Sequence, residues 1–268
     1  MDQTTDPDVV PRYEQLLSLR GRALIVAGAG PGIGRHCAHA LAALGASVMC
    51  VSTNAGSAER VAAEVHGRSL VADVTERDQV ERVIEATRKA FGRLDGIVDI
   101  VGKARFLTVA ETQDEDWDWT LRRNLRHAFL LTQIGGRALA ASGGGSIVFV
   151  SSVSGLTGSE YHGAYGAAKA AMLSLVRTAA VELGPSGVRV NAVAPGIVWT
   201  PRMSDAIGEQ HRAVWARASP LQRVALPSDV ASAVLYLATD LSADVTGQTI
   251  VVDGGAGLRF PFPIETLR

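Results

Sequence analysis

The stretch ALIVAGAGPGIG, residues 23–34, carries the reading on which the fold turns. It opens with an apolar run of strand length, and the glycines break that run before a helical pattern that reaches Leu44 and closes at Gly45, a C-cap residue. Strand, turn and helix in that order put Gly28, Gly30, Gly32, Ile33 and Gly34 where bare backbone can approach a ligand. The helix amino end there offers unpaired N–H groups and a positive dipole. A dinucleotide pyrophosphate suits that place. A glycine-rich turn alone is equally well punctuation between two elements, so the rest of the chain has to decide.

The alternation continues. Apolar strand patterns recur at 47–52, 69–72, 94–100, 146–150, 188–193 and 249–252, with helical patterns at 58–66, 76–91, 117–141 and 164–183. Seven strands alternating with helices predict an α/β protein, a Rossmann-type, doubly wound, seven-stranded parallel sheet with helices on both faces in a single domain. The expected layout is an N-terminal tail over 1–18, the domain over 19–256 and a C-terminal tail over 257–268. Tyr13 to Leu19 form a short amphipathic piece that either packs on the domain or belongs to a disordered tail. Residues 197–220 are expected to form a lid: Met203, Ile207, Val214 and Ala218 fall close to helical spacing, hinged by Pro201 and Gly208.

With 268 residues, 47% hydrophobic and 20% charged, the chain is long enough for a large core. A formal net charge of −1 predicts no nucleic-acid partner and no membrane-surface partner. The first residues lack the apolar stretch of a secretory signal, and no run approaches the roughly 18 apolar residues of a membrane helix. The two cysteines, Cys37 and Cys50, fall in apolar helix and strand patterns, which predicts buried free thiols, a reducing compartment and a cytoplasmic location.

A second stretch, SVSGLTGSEYHGAYGAAK at 152–169, carries the chemistry. Tyr165 and Lys169 are four residues apart, one helical turn on the same face. An ammonium beside a phenol favours the phenolate and lowers the pKa, so Tyr165 could trade a proton with a substrate oxygen. Ser152 follows the apolar strand pattern and could hold the same oxygen. By itself the Tyr-x-x-x-Lys spacing is common on helix surfaces.

Taken together, Gly28-x-x-x-Gly32-Ile33-Gly34, Asn124, Ser152, Tyr165-x-x-x-Lys169, Pro195-Gly196-x-x-x-Thr200 and VTGQTIVVDGG at 245–255 resemble the short-chain dehydrogenase/reductase family, from about Leu19 to Gly255. The resemblance implies a nicotinamide cofactor and hydride exchange with an alcohol or carbonyl carbon. It makes Tyr165 the general acid/base, and Lys169 the residue that lowers its pKa and bonds the nicotinamide ribose. Ser152 becomes the holder of the substrate oxygen, and Asn124 part of a proton relay through a water. It also implies that Asp73 and Val74 contact adenine, and that Pro195, Gly196, Val198 and Thr200 lie near the nicotinamide. Homotetramers or homodimers through the long helices follow from it, aided by the small face Ala164, Ala167, Ala168 and Ala171.

The chain departs from the family pattern in places. Asp99-Ile100-Val101-Gly102 stands where the family usually has Asn-Asn-Ala-Gly; Val101 and Gly102 are expected to floor the cofactor, and Asp99 to take over hydrogen bonds between strands. Ala27 replaces a frequent Thr. The second strand ends in Ser52 and Thr53, without the acid expected for NAD or the arginine expected for NADP. NAD and NADP both stay open, and the hydroxyls favour NAD because they do not neutralise a 2′-phosphate, unless Arg35 or Arg60 reaches it. His36 and His39 lack companion ligands, so no metal is expected. Tyr161 and His162 either touch substrate or are plain loop residues, and the apolar segment 257–263 is expected to pack on the domain or a neighbouring subunit. The function expected is hydride transfer between nicotinamide and a secondary alcohol or ketone with apolar bulk. The alternatives are a 3-oxoacyl thioester reductase and a catalytically silent NAD(P)-binding regulator.

Overall fold

Every residue of β1 (Ala23–Ala27) is buried, which is why its sequence is apolar without alternation. A computed structural model describes residues 9–258. The C-terminal expectation falls mostly on 259–263, outside the described residues. In order, α1 (Tyr13–Leu17), β1, α2 (Ile33–Ala43), β2 (Ser47–Ser52), α3 (Ala55–Glu64), β3 (Arg68–Val71), α4 (Arg77–Phe91) and β4 (Gly96–Asp99) form the first half. The second half holds α5 (Asp114–Leu121), α6 (His127–Leu130), α7 (Gly136–Ala141), β5 (Gly145–Val150), α8 (Gly163–Leu183), β6 (Val188–Pro195), α9 (Pro201–Ile207), α10 (Arg212–Ala218), α11 (Pro227–Ala238) and β7 (Thr249–Val252).

The strands form one sheet in the order β3-β2-β1-β4-β5-β6-β7. Each neighbouring pair is parallel. The order reverses between β1 and β4, so the crevice of a doubly wound sheet opens at their carboxyl ends. Strand residues alternate between two cores. Ile25, Met49, Ile97, Ile147 and Phe149 pack with α4 and α8 on one face. Leu24, Val26, Val48, Cys50 and Val148 pack with α2 and α11 on the other.

Three local features depart from the expected pattern. α11 lies in a stretch for which no helix was expected, although Pro227 at its first turn and the Asp229 carboxylate, which accepts from the Leu226 N–H at 2.7 Å, are ordinary helix-start signals. The helix expected at 117–141 starts at Asp114 and is interrupted by π turns at Arg122–Arg126 and Leu131–Gly135. On α8 the small face is divided: Ala168 is fully buried in the domain, Ala167 is exposed, and Ala164 and Ala171 are half-buried. The segment 197–220, expected as a lid, holds two short helices broken at Gly208, whose φ of 83° suits glycine. Leu19, just after α1, is fully buried, which ties that piece to the domain. Among the described residues no helix is long and apolar enough to cross a membrane.

Candidate active site

The turn after β1 is shaped for close approach. A Cβ on Gly34 would lie 2.0 Å from the Gly28 carbonyl oxygen, so only glycine lets α2 begin there. Gly28, Ile33 and Gly34 line a groove at the crevice together with Ser52, Thr53, Asp73, Val74, Val101, Gly102 and Thr200, all among the residues expected at a cofactor. Pro31, Ile100, Arg123 and Arg202 line it as well and were not foreseen. Other expected residues lie off the groove. Gly32, with φ 99°, packs under the Thr200 methyl, Gly30 returns its N–H to the Gly28 carbonyl, and Val198 turns into the core. Pro195 ends β6, and Gly196 is pressed against Asp253. The lining fits a dinucleotide: a bare glycine floor, the α2 amino end and hydroxyls at the outer edge.

At the other end of the crevice the hydroxyl of Ser152, one residue beyond the buried Ser151, hydrogen-bonds the Tyr165 phenol. Ser152 also caps the turn Val153–Gly155 by accepting from the Ser154 N–H at 3.1 Å. Burial raises the pKa of the phenol, and the Ser152 hydrogen bond and the Arg202 charge oppose that shift. The expected acidification by Lys169 is therefore not what dominates in the protein alone. Lys169 places its ammonium 5.8 Å from the Tyr165 ring centroid and donates to the Val150 carbonyl at 2.9 Å. Its burial pushes its own pKa down to about 8, against the pull of the Asp99 charge.

Asn124 sits fully buried on the first π turn. Its Oδ1 accepts from the Lys103 N–H at 2.8 Å, and its Nδ2 donates to the carbonyls of Lys103 at 3.0 Å and Thr120 at 2.9 Å. Gly102 occupies the bend between them: a Cβ there would stand 3.0 Å from Asn124 Oδ1 and 3.2 Å from Lys169 Nζ. Asp99 does not bond between strands as expected. It accepts from the Val101 N–H at 3.0 Å and pairs with His127, a residue the sequence did not single out.

The open side of Tyr165 is aromatic. The His162 ring centroid lies 5.4 Å from that of Tyr165 and 5.1 Å from that of Phe106, tilted by 45° to each. Behind Ser152 a cavity of about 820 Å³ opens among Val153, Leu156, Leu221, Val251 and Leu258. In the 197–220 segment Trp199 packs edge-on against Trp215 at 6.2 Å, and Arg212 lies over Trp199. His39 bonds Glu64 at the surface, away from the groove. Both cysteines are buried and free.

A family model described as enoyl-(acyl carrier protein) reductase matches residues 28–257. The chain is 35% identical over 244 residues to the 3-oxoacyl-[acyl-carrier-protein] reductase FabG of Thermotoga maritima, covering 89% of this chain and 99% of the relative. It is 35% identical over 246 residues to the D-threitol dehydrogenase of Mycolicibacterium smegmatis, covering 90% of this chain and 95% of the relative. A solved 7α-hydroxysteroid dehydrogenase, complexed with NADH and 7-oxo glycochenodeoxycholic acid, superposes with a TM-score of 0.85 at 28% identity, over 92% of this chain and 98% of that one. The parallel sheet, its crevice and these likenesses define an NAD(P)-dependent oxidoreductase acting on CH–OH groups. Within that class the chain belongs to the short-chain dehydrogenase/reductase family.

Proposed function

We propose that this enzyme interconverts a secondary alcohol and its ketone, with Tyr165 as the proton donor and acceptor. The observation that carries the reading is the Ser152–Tyr165 hydroxyl pair beside a glycine-lined groove, with the Lys169 ammonium under the phenol ring. When bound, the nicotinamide supplies or accepts the hydride. The Ser152 hydroxyl holds the substrate oxygen, and the phenol O–H gives that oxygen its proton in the reducing direction and takes it back in the other. Lys169 supports the phenolate and, with Asn124 and Gly102, shapes the floor for the nicotinamide ribose.

Three further readings belong to the same proposal. A substrate with hydrocarbon bulk fits the ring wall of His162 and Phe106. The lid over 197–220 closes on it. NAD is favoured over NADP because Ser52 and Thr53 edge the groove while Arg35 is held by Glu64 at 2.6 Å. Arg123, which does line the groove, faces Asp73 at 3.6 Å. Buried free thiols support a reducing, cytoplasmic setting. Exposed Val181 and Phe129 on the long helical stretches support a dimer or tetramer.

The test is a screen of the purified protein with both cofactors against secondary alcohols, ketones and 3-oxoacyl thioesters, followed by nicotinamide absorbance. Turnover of simple alcohols or ketones that disappears in Tyr165→Phe supports the reading. Turnover of thioesters alone moves the assignment to a 3-oxoacyl thioester reductase, and cofactor binding with no turnover of any class moves it to a regulator.

A further inference from the structure

Asp99 and His127 form a fully buried pair that the proposed chemistry does not use: His127 Nδ1 lies 2.5 Å from Asp99 Oδ2, and neither side chain has any exposure. Asp99 ends β4, in register between Ala27 and Phe149, where the family pattern has an amide. An amide oxygen would cap the Val101 N–H as well as a carboxylate does. A carboxylate adds charge, which is costly in a dry interior unless another charge faces it. Among the described residues, Asp99, His127 and Lys169 are the buried side chains that can carry charge, apart from the two thiols.

The backbone links them. Asp99 holds the Val101 N–H, the next residue is the Gly102 bend against Lys169 Nζ and Asn124 Oδ1, and the residue after that, Lys103, is bonded through both backbone groups to Asn124. His127 follows Asn124 by three positions, directly after the π turn that carries it, so one helical stretch anchors both ends of loop 99–103. The Tyr165 ring lies beside the lysine head, the Asp99 charge acts on that head through space, and Asp99 itself is bonded by His127. His127 Nε2 has no partner, so the imidazole's one strong bond is to Asp99.

We propose that Asp99 and His127 are a buried positioning pair for Lys169, the carboxylate serving as the counter-charge that keeps the lysine head protonated at the Gly102 bend and the imidazole holding the carboxylate in place. The pair rests on the role given to Lys169 above. It is an electrostatic addition of this chain to a position where an amide would serve structure alone.

The test is titration of the protein with NADH, or NADPH if that binds more tightly, by nicotinamide fluorescence from about pH 6 to about 10, alongside melting curves and, once a substrate is found, kcat/KM over the same range. In the unaltered protein, cofactor affinity should fall as Lys169 loses its proton, with a midpoint near its folded pKa of about 8. Asp99→Asn should move that midpoint down by about one pH unit or more, so that affinity about midway between the two midpoints drops several-fold, with little change in melting temperature at about pH 6. A purely structural Asp99 predicts the reverse: lower melting temperature and an unmoved midpoint. His127→Gln, the second variant, should shift the midpoint in the same direction, and an unmoved midpoint in either folded variant overturns the pair. If neither variant folds, the unaltered protein still decides, since affinity that is flat from about pH 7 to about 9 overturns it. Lys169→Met separates the two failures: unchanged affinity and rate in that variant sink the role of Lys169 itself.

Discussion

Lys169 carries its ammonium 5.8 Å from the Tyr165 ring centroid, yet the atom it donates to is the Val150 carbonyl oxygen, 2.9 Å away. The lysine's hydrogen bond therefore goes to the backbone, and the groups that oppose the burial-raised pKa of the phenol are Ser152 and Arg202. Tyr165→Phe should leave folding and cofactor affinity nearly intact and lower kcat by about 10² or more, the scale of a lost general acid/base. Lys169→Ala should weaken cofactor binding as well as rate. Near-normal turnover of Tyr165→Phe would take the phenol out of the chemistry.

The same burial makes folding stability depend on pH with a sign that can be worked out. The folded Lys169 pKa of about 8 lies below its ordinary 10.5, so from about pH 8 upward the unfolded chain holds a proton that the folded one has released, and stability rises with pH. Burial raises Cys37 and Cys50 from 9.0 to about 12, so above about pH 9 the unfolded chain gives up protons that the folded one keeps, and stability falls. Each group contributes a slope of up to about 1.4 kcal/mol per pH unit. Denaturant midpoints of the cofactor-free protein should climb between about pH 8 and 9 and decline beyond. Lys169→Met should remove the climb; a climb that survives in that variant would mean another group causes it.

Much of this was open to reading because it depends on local pattern. The strand runs, the glycine turn and the Tyr165–Lys169 spacing are properties of a few neighbouring residues, and the sheet follows from their alternation. The Asp99–His127 bond joins residues 28 positions apart, and only the parallel sheet brings β4 against the π-turned helix. Arg202 acts on the phenol from the first turn of α9, and the path that brings α9 there is not written in any one stretch. Val198 sits inside a recognised motif but turns to the core, because a motif marks the chain path and not each side chain's direction.

Gly34 and Gly30 should respond oppositely to the same substitution. A Cβ at Gly34 would stand 2.0 Å from a backbone oxygen, whereas a Cβ at Gly30 meets nothing within 4 Å and its φ is not positive. Gly34→Ala should cost about 1–3 kcal/mol or more, since backbone must move, and should lose cofactor affinity as the α2 amino end shifts. Gly30→Ala should fold with nearly unchanged stability. Calorimetric melting of the pair checks the contrast, and equal melting temperatures would contradict this packing of the turn.

Cofactor choice should turn on the edge of the groove formed by Ser52 and Thr53. Hydroxyls hydrogen-bond a ribose 2′-OH, but they leave a 2′-phosphate without a counter-charge. Arg123 and Arg202 line the same groove, and Arg123 faces Asp73 at 3.6 Å. The two arginines put forward from the sequence lie off that groove. Arg35 bonds Glu64, whose carboxylate is also held by His39 at 2.8 Å, and those bonds keep the carboxyl below its usual range. Arg60 lies on a separate surface hollow with Arg35 and Glu64. The unaltered protein should therefore bind NADH at least as tightly as NADPH. Ser52→Asp should weaken NADPH by about tenfold or more through repulsion while leaving NADH equal or better. Glu64→Gln tests the other half, since releasing Arg35 should raise NADPH affinity if that side chain can reach the phosphate. A strong NADPH preference in the unaltered protein that Arg35→Ala does not reduce would show that the 2′ group lies away from Ser52 and Thr53.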